Sequence, residues 1–316
     1  MNPPRLGLTF PLWPFDVRRS CELAREAESL GYTDAWTAET SGPDGLAVAT
    51  ALGVVTETIR IGCAVVPAYT RPPALIAMGA LAAHEASAGR FCLGLGSSSP
   101  VIVERWMGEP FELPYTKVKE TLEATQAALS GEKVRFSGRT LKVDGFKLDS
   151  AAEVPVFLAA LGPKMMQLAA EKADGIALFL ATEEGVRIAK AASGDKEVIE
   201  RIICCPDLPV DEVRQMARWM LGPYLAVPAY NRFLAAQGYE TEAADILNRW
   251  SSGDRAGALE ALTDQILDAL VLMGSSGACK ERLESFRAAG LDTPILMLVS
   301  PQGGEGTLAA MKSMAP

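Results

Sequence analysis

Short runs rich in β-branched and aromatic residues alternate along this chain with longer stretches of helical periodicity. The first helical stretch, residues 17–32, keeps its apolar side chains on one face and ends beside a glycine. Further helices are predicted over residues 74–86, 117–129, 164–172 and 279–289. Strands are predicted over residues 5–10, 33–36, 59–66, 90–96, 154–159, 175–180, 198–205 and 294–299. This alternation is typical of βα units on a parallel sheet and places the chain in the α/β class.

Eight strand–helix units in 316 residues predict a single (β/α)8 TIM barrel. Two stretches exceed the minimal barrel, at about 97–150 and 206–262. The first includes a helix and a predicted hairpin (VRFSGRTLKV, 134–143), and the second is helical throughout. We expect one domain over residues 1–316, with both insertions covering the C-terminal face, where barrel enzymes carry their sites.

Composition narrows the classes of partner. The formal net charge is −9, so the chain has no basic surplus for nucleic acid or an anionic membrane. No apolar run approaches the roughly 18 residues of a membrane span, and the N-terminus leads almost directly into a strand. These features predict a cytoplasmic protein whose partner is a small-molecule substrate.

The histidine and cysteine counts restrict the chemistry. His84 is the one histidine, so the sequence cannot build a zinc site with several histidines, and a Ser–His–Asp triad would have to use His84 itself. The six cysteines form no CxxC pair and are interpreted as reduced, mostly buried thiols. We therefore expect no metal site, and an enzyme of this composition would take its chemistry from an organic cofactor.

Four segments carry a resemblance to a known family. They are DAWTAETSGPDGLAVAT (34–50), the stretch from IRIGCAVVPAYTRPP to LGLGSSSP (59–100), VPVFLAALGPKMMQLAAEKADG (154–175) and GSSGACKERLESFRAAGLDTPIL (274–296). In this order they resemble the bacterial luciferase-like superfamily, and within it the oxidoreductases that depend on the deazaflavin coenzyme F420. The resemblance implies a barrel that binds a flavin-type ring at the C-terminal ends of its strands, and it adds the expectation of a homodimer.

The segment IGCAVVPAYTRPP has two interpretations. Taken alone, its prolines end a strand and open the next helix. The resemblance implies a strand bulge with a non-prolyl cis peptide that supports the cofactor ring, and the matching bond joins Ala64 and Val65.

Two further segments are candidates for the cofactor's polar parts. LGLGSSSP is a poor dinucleotide fingerprint, because Ser99 replaces the third glycine. One interpretation is a tight turn capped by serine. The other is that Ser97, Ser98 and Ser99 contact the ribityl or phosphate region of the cofactor. ALGPKMM either starts a helix or binds an anion at its N-terminus, and the candidate residues there are Ala160, Gly162, Pro163 and Lys164. A similar but weaker signal lies at GSSGACKER (274–282).

The segment WTAET (36–40) ends the second predicted strand. In deazaflavin-dependent relatives an acidic residue here lies beside the ring and is often followed by histidine; this chain has Glu39 and Thr40. Glu39 is therefore the candidate catalytic and cofactor-contacting residue, with a solvated loop carboxylate as the alternative. Thr40 removes the usual titrating group, which weakens any borrowed acid–base mechanism. Trp13 and Trp106 lie in loops and are candidates for the substrate pocket.

Three functions remain open. The first is hydride transfer between coenzyme F420 and a small organic substrate. The second is an FMN-dependent luciferase-like monooxygenase. The third is a cofactor-binding protein without turnover, which the absence of an obvious base leaves open.

Overall fold

The computed structural model describes residues 4–316. The strands are β1 (Gly7–Phe10), β2 (Asp34–Thr37), β3 (Arg60–Pro67), β4 (Phe91–Gly96), β5 (Val134–Ser137), β6 (Lys142–Phe146), β7 (Val156–Ala159), β8 (Gly175–Phe179), β9 (Glu197–Pro206), β10 (Val271–Gly274) and β11 (Thr293–Leu298). The helices are α1 (Val17–Ser29), α2 (Gly45–Val55), α3 (Pro73–Ala86), α4 (Pro114–Leu129), α5 (Pro163–Lys172), α6 (Glu183–Ser193), α7 (Val210–Leu225), α8 (Pro228–Ala236), α9 (Glu240–Ser252), α10 (Arg255–Glu260), α11 (Asp264–Leu270), α12 (Ser276–Ala288) and α13 (Gly303–Ser313).

Eight parallel strands close into a barrel. They follow the order β1-β2-β3-β4-β7-β8-β9-β11, and β11 pairs with β1 to complete the circle. The predicted TIM barrel is confirmed. A ninth strand, β10, pairs with the C-terminal end of β9 and was missed by the sequence analysis. It follows α11 without a break, and periodicity cannot separate a short apolar strand from the end of a helix.

Two segments extend beyond the barrel. Between β4 and β7 lie a π-helical turn (Val101–Trp106), α4 and the antiparallel pair β5–β6, which confirms the predicted hairpin. Between β9 and β11 the helical segment α7–α11 continues to residue 270, further than expected, and packs around its own apolar cluster. Within residues 4–316 no helix is long and apolar enough to cross a membrane.

The barrel interior combines large rings with glycines. Trp36 on β2 and Phe157 on β7 meet edge to face, with ring centroids 5.6 Å apart. Gly62 on β3 faces the indole of Trp36, and Gly175 on β8 faces the ring of Phe157, so a Cβ at either glycine would overlap the ring. The two rings fill the barrel only because the neighbouring strands present no side chain there.

A charged network closes the N-terminal end of the barrel. The carboxylate of Asp34 is fully buried and accepts hydrogen bonds from Arg5, Arg60 and the indole of Trp36. The guanidinium of Arg60 also donates to both oxygens of Glu197, at 2.7 and 2.8 Å. This network joins the first residues of β2, β3 and β9.

The guanidinium groups set the charge state of this network. Burial alone would raise the pKa of Asp34, but Arg60 and Arg5 outweigh it and hold that pKa below its ordinary value. Burial likewise opposes ionisation of Glu197, and the hydrogen bonds from Arg60 lower its pKa. Both carboxylates are therefore ionised at neutral pH, and each loses its contribution to folding when it is protonated.

We expect Gly62→Ala to destabilise the barrel. The added methyl group overlaps the Trp36 ring, so one strand or the indole must shift, at a cost of about 1–3 kcal/mol. Urea unfolding measures the change in free energy. The matched control is Gly277→Ala, where a new Cβ meets only the Ser275 hydroxyl at 3.8 Å. Equal stability of the two variants would contradict this account of the interior.

We expect Asp34→Asn to lose about 3–5 kcal/mol at neutral pH, because Arg60 keeps its burial but loses one carboxylate partner. The wild-type contribution of Asp34 is present above the carboxyl's ordinary pKa of about 4 and is lost as the pH falls through the lower folded-state pKa. The variant should therefore lose less stability than the wild type on acidification. Urea unfolding across this pH range tests both points, with the exposed Asp195→Asn as the control. An unchanged pH dependence would contradict the role of Asp34.

Candidate active site

A cavity of about 390 Å³ opens at the C-terminal ends of the barrel strands. Its floor consists of Ala177, Ile199 and Ile295, which pack next to the Trp36–Phe157 pair. The walls come from the loop after β2, the end of β3, the segment after β4 and the ends of β7 and β8. The first half of β9, the end of α7 and the start of α8 complete them. This is the face on which TIM barrel enzymes carry their sites.

The wall from β3 contains an irregular backbone. The Ala64–Val65 peptide bond is cis, as the resemblance implied, and the pairing of β3 with β4 shifts register between Cys63 and Val66. Both Ala64 and Val65 line the cavity. Gly94 on β4 accommodates this bulge, because a Cβ there would lie 2.5 Å from the Cys63 carbonyl oxygen.

The serines after β4 form the capped turn that the sequence offered as one interpretation, and two of them lie at the cavity. Ser98 and Ser99 line the cavity, whereas Ser97 lies next to it and donates to the Ser98 carbonyl at 3.3 Å. Ser99 also caps the π-helical turn, since its hydroxyl accepts from the Ile102 N–H at 3.4 Å. Ser98 has a positive φ of 62°. The segment is thus a capped turn that also presents hydroxyl groups to the cavity.

Glu39 lies on the wall but is not a free loop carboxylate. Its side chain is 13% exposed and forms an ion pair with Arg71 at 2.7 Å. It also accepts a hydrogen bond from the Gly45 N–H at 3.1 Å, which ties it to the start of α2. Arg71 pairs in addition with Asp44. Thr40 follows on the same wall. Glu39 therefore belongs to an ion-pair cluster in which one guanidinium serves two carboxylates.

The remaining candidates divide into those near the cavity and those away from it. Trp106 lines the cavity, whereas Trp13 is 58% exposed and lies outside the lining. Ala160 is buried behind the wall, between two residues that do line it. Gly162, Pro163 and Lys164 form the start of α5 just beyond that wall. Within residues 4–316 the Lys164 ammonium has no ion-pair partner.

Several cavity residues were not predicted from the sequence, and four of them carry aromatic or charged side chains. Phe179 ends β8, Arg201 lies on β9, and Tyr224 and Tyr230 lie on α7 and α8. Arg201 had a detectable signal, because it and its neighbour Glu200 are charged residues in the otherwise apolar run VIERIICC. Charged residues are rarely buried unless they have a partner or a function. The two tyrosines had none, because only the folded insertion brings them over the barrel.

The sequence profile of the luciferase-like monooxygenase family matches residues 4–293. The chain belongs to this family. It is 29% identical over 289 residues to a 5,10-methylenetetrahydromethanopterin reductase of Methanolobus tindarius, covering 87% of this chain and 88% of that one. It is 28% identical over 228 residues to an F420-dependent glucose-6-phosphate dehydrogenase of Mycolicibacterium smegmatis, covering 63% and 67% of the two chains.

A solved structure has the same fold. The coenzyme F420-dependent tetrahydromethanopterin reductase of Methanopyrus kandleri superposes with a TM-score of 0.79 at 20% identity, covering 99% of this chain and 97% of that one. At this identity the likeness establishes the barrel alone. Together with the family match, these relatives identify the chain as an enzyme whose substrate is not specified.

Proposed function

We propose that this enzyme is a coenzyme F420-dependent oxidoreductase that transfers a hydride between the deazaflavin and a small organic substrate. The names of its relatives support the cofactor. The observation that carries the proposal is the cavity at the C-terminal end of the barrel, with the bulge at Ala64–Val65 on one wall and the hydroxyl groups of Ser98 and Ser99 on another.

The residues present fit a deazaflavin. Ala64, Val65 and Ala159 offer small apolar surfaces on which a flat ring can lie, and Gly96 between them has no room for a Cβ, which would approach Val65 to 2.7 Å. Ser98 and Ser99 would hold the polar side chain of the ring. The start of α5, where Gly162 faces open space, would hold the negatively charged tail together with Lys164.

The bound deazaflavin would supply a carbon centre that exchanges a hydride and reacts poorly with oxygen. The chain's own residues orient the reactants and exclude water. Glu39 holds the loop after β2 in place through Arg71 and Gly45. Burial raises the pKa of Tyr230 to about 12, so its hydroxyl stays protonated and acts as a hydrogen-bond donor at neutral pH. A homodimer and a cytoplasmic location stay predictions.

Titration of the apoprotein with coenzyme F420 and, separately, with FMN tests the cofactor. We expect binding of the deazaflavin to quench tryptophan fluorescence, because Trp106 lines the cavity. FMN should bind at least about tenfold more weakly, a difference of ~1.4 kcal/mol. Preference for FMN would favour the monooxygenase instead, and binding of neither would overturn the proposal. A deazaflavin complex that turns over no member of a broad substrate screen would favour the binding protein.

The anion site at α5 has its own test. Lys164→Met removes a positive charge from the N-terminal turn and should weaken coenzyme F420 binding about fivefold, equivalent to ~1 kcal/mol. The matched control is Lys172→Met, which removes the same charge from the last turn of the same helix, where Lys172 pairs with Glu123. Equal affinity in both variants would show that Lys164 does not contact the tail.

A further inference from the structure

Arg201 is an unpaired guanidinium on the wall of the candidate cavity. Its Nε is enclosed and has no hydrogen-bond partner within residues 4–316. No carboxylate in that range forms an ion pair with it. The neighbours whose charge acts on the pKa of Arg201 are two tyrosines. Burial lowers the pKa of Arg201, and Tyr224 and Tyr230 oppose that shift. Since guanidinium groups stay protonated in proteins, the cavity wall carries a half-buried positive charge.

The Arg201 guanidinium packs on Phe179, one of three aromatic rings that contact one another. Its Cζ lies 4.4 Å from the centroid of the Phe179 ring, so the planar group rests on that ring. Tyr224 and Tyr230 meet Phe179 edge to face, at 5.5 and 6.2 Å, and meet each other at 5.8 Å. The Phe179 ring limits the movement of the Arg201 side chain, and Tyr224 and Tyr230 line the same part of the cavity wall, near enough to act on its charge.

The missing counter-charge of Arg201 points to an anionic ligand. Glu39 is the acidic residue of the lining, but its partner is Arg71, which also pairs with Asp44. Arg201 is the basic residue of the lining and has no ion pair with Glu39. A half-buried cation whose Nε has no partner destabilises the free protein, so the position is best explained by a ligand that supplies the partner.

We propose that Arg201 binds a carboxylate group of the substrate, and that the substrate's apolar or aromatic body packs against Phe179, Tyr224 and Tyr230. The assignment of this ligand as the substrate rests on the proposed function. A planar carboxylate matches the two parallel N–H groups that one guanidinium offers. A phosphate dianion carries two negative charges against the single positive charge of Arg201, so a carboxylate is the better match in charge.

Binding of benzoate and of benzamide tests this proposal, because the two molecules share a shape and differ in charge. Isothermal titration calorimetry of the whole chain should show that benzoate binds about tenfold more tightly than benzamide. In Arg201→Met this preference should disappear. The matched control is Arg105→Met, which removes the same charge from an exposed residue beside Trp106 and should keep the preference.

Thermal unfolding separates a ligand-binding role from a packing role. If the role of Arg201 is to bind a ligand, Arg201→Met removes an unpaired charge from the free protein. The melting temperature of this variant should then equal or exceed that of the wild type. Arg201→Lys keeps a charge without the planar group and should show a weaker preference for benzoate than the wild type. It also decides the question if Arg201→Met does not fold.

Several results would overturn the proposal. For the wild type, they are equal binding of benzoate and benzamide, no benzoate binding in the millimolar range, and tighter binding of phenyl phosphate than of benzoate. For the variants, the contradicting result is a preference for benzoate that persists in both Arg201→Met and Arg201→Lys. Failure of the cofactor proposal is distinguishable, because the benzoate titration requires no coenzyme. Coenzyme F420 should also bind Arg201→Met as it binds the wild type, since the variant leaves Ala64, Val65, Ser98 and Lys164 unchanged.

Discussion

The pairing of Arg60 with Asp34 and Glu197 at the N-terminal end of the barrel is the interaction on which the rest of the structure depends. It joins the first residues of β2, β3 and β9, and the indole of Trp36 packs over it while donating to Asp34. Trp36 and Phe157 then fill the next level of the barrel. With this end closed by paired charges and rings, the space that remains lies at the opposite end, where the cavity opens.

Two half-buried arginines of the barrel, Arg60 and Arg201, differ in whether a carboxylate pairs with them. Arg60 faces the carboxylates of Asp34 and Glu197, and the guanidinium and the carboxylates stabilise one another's ionised states. Arg201, nearer the cavity, rests on the Phe179 ring and has no acidic partner within residues 4–316. The first arrangement stabilises the fold. The second arrangement lowers the stability of the free protein, and a bound anion would restore it, as is typical of ligand sites.

The cavity has two halves with different origins. Strands β2, β3, β4 and β7 supply one half, which carries the bulge at Ala64–Val65 and the serines after β4. Strands β8 and β9 and the insertion α7–α8 supply the other half, with its aromatic rings and Arg201. Loops and insertions at this end of a barrel are where binding sites vary between proteins of one fold.

Local periodicity and ordered motifs were enough to predict the barrel, the hairpin β5–β6 and the family. The motifs also indicated residues of the first half of the cavity, including Glu39, Ala64, Val65, Ser98, Ser99 and Trp106. Folding of the whole chain was needed to pair Glu39 with Arg71, to leave Trp13 outside the cavity and to bring Tyr224 and Tyr230 into the same wall as Arg201. Those contacts join residues far apart in the chain, and their positions depend on how the insertion packs on the barrel, which no local pattern records.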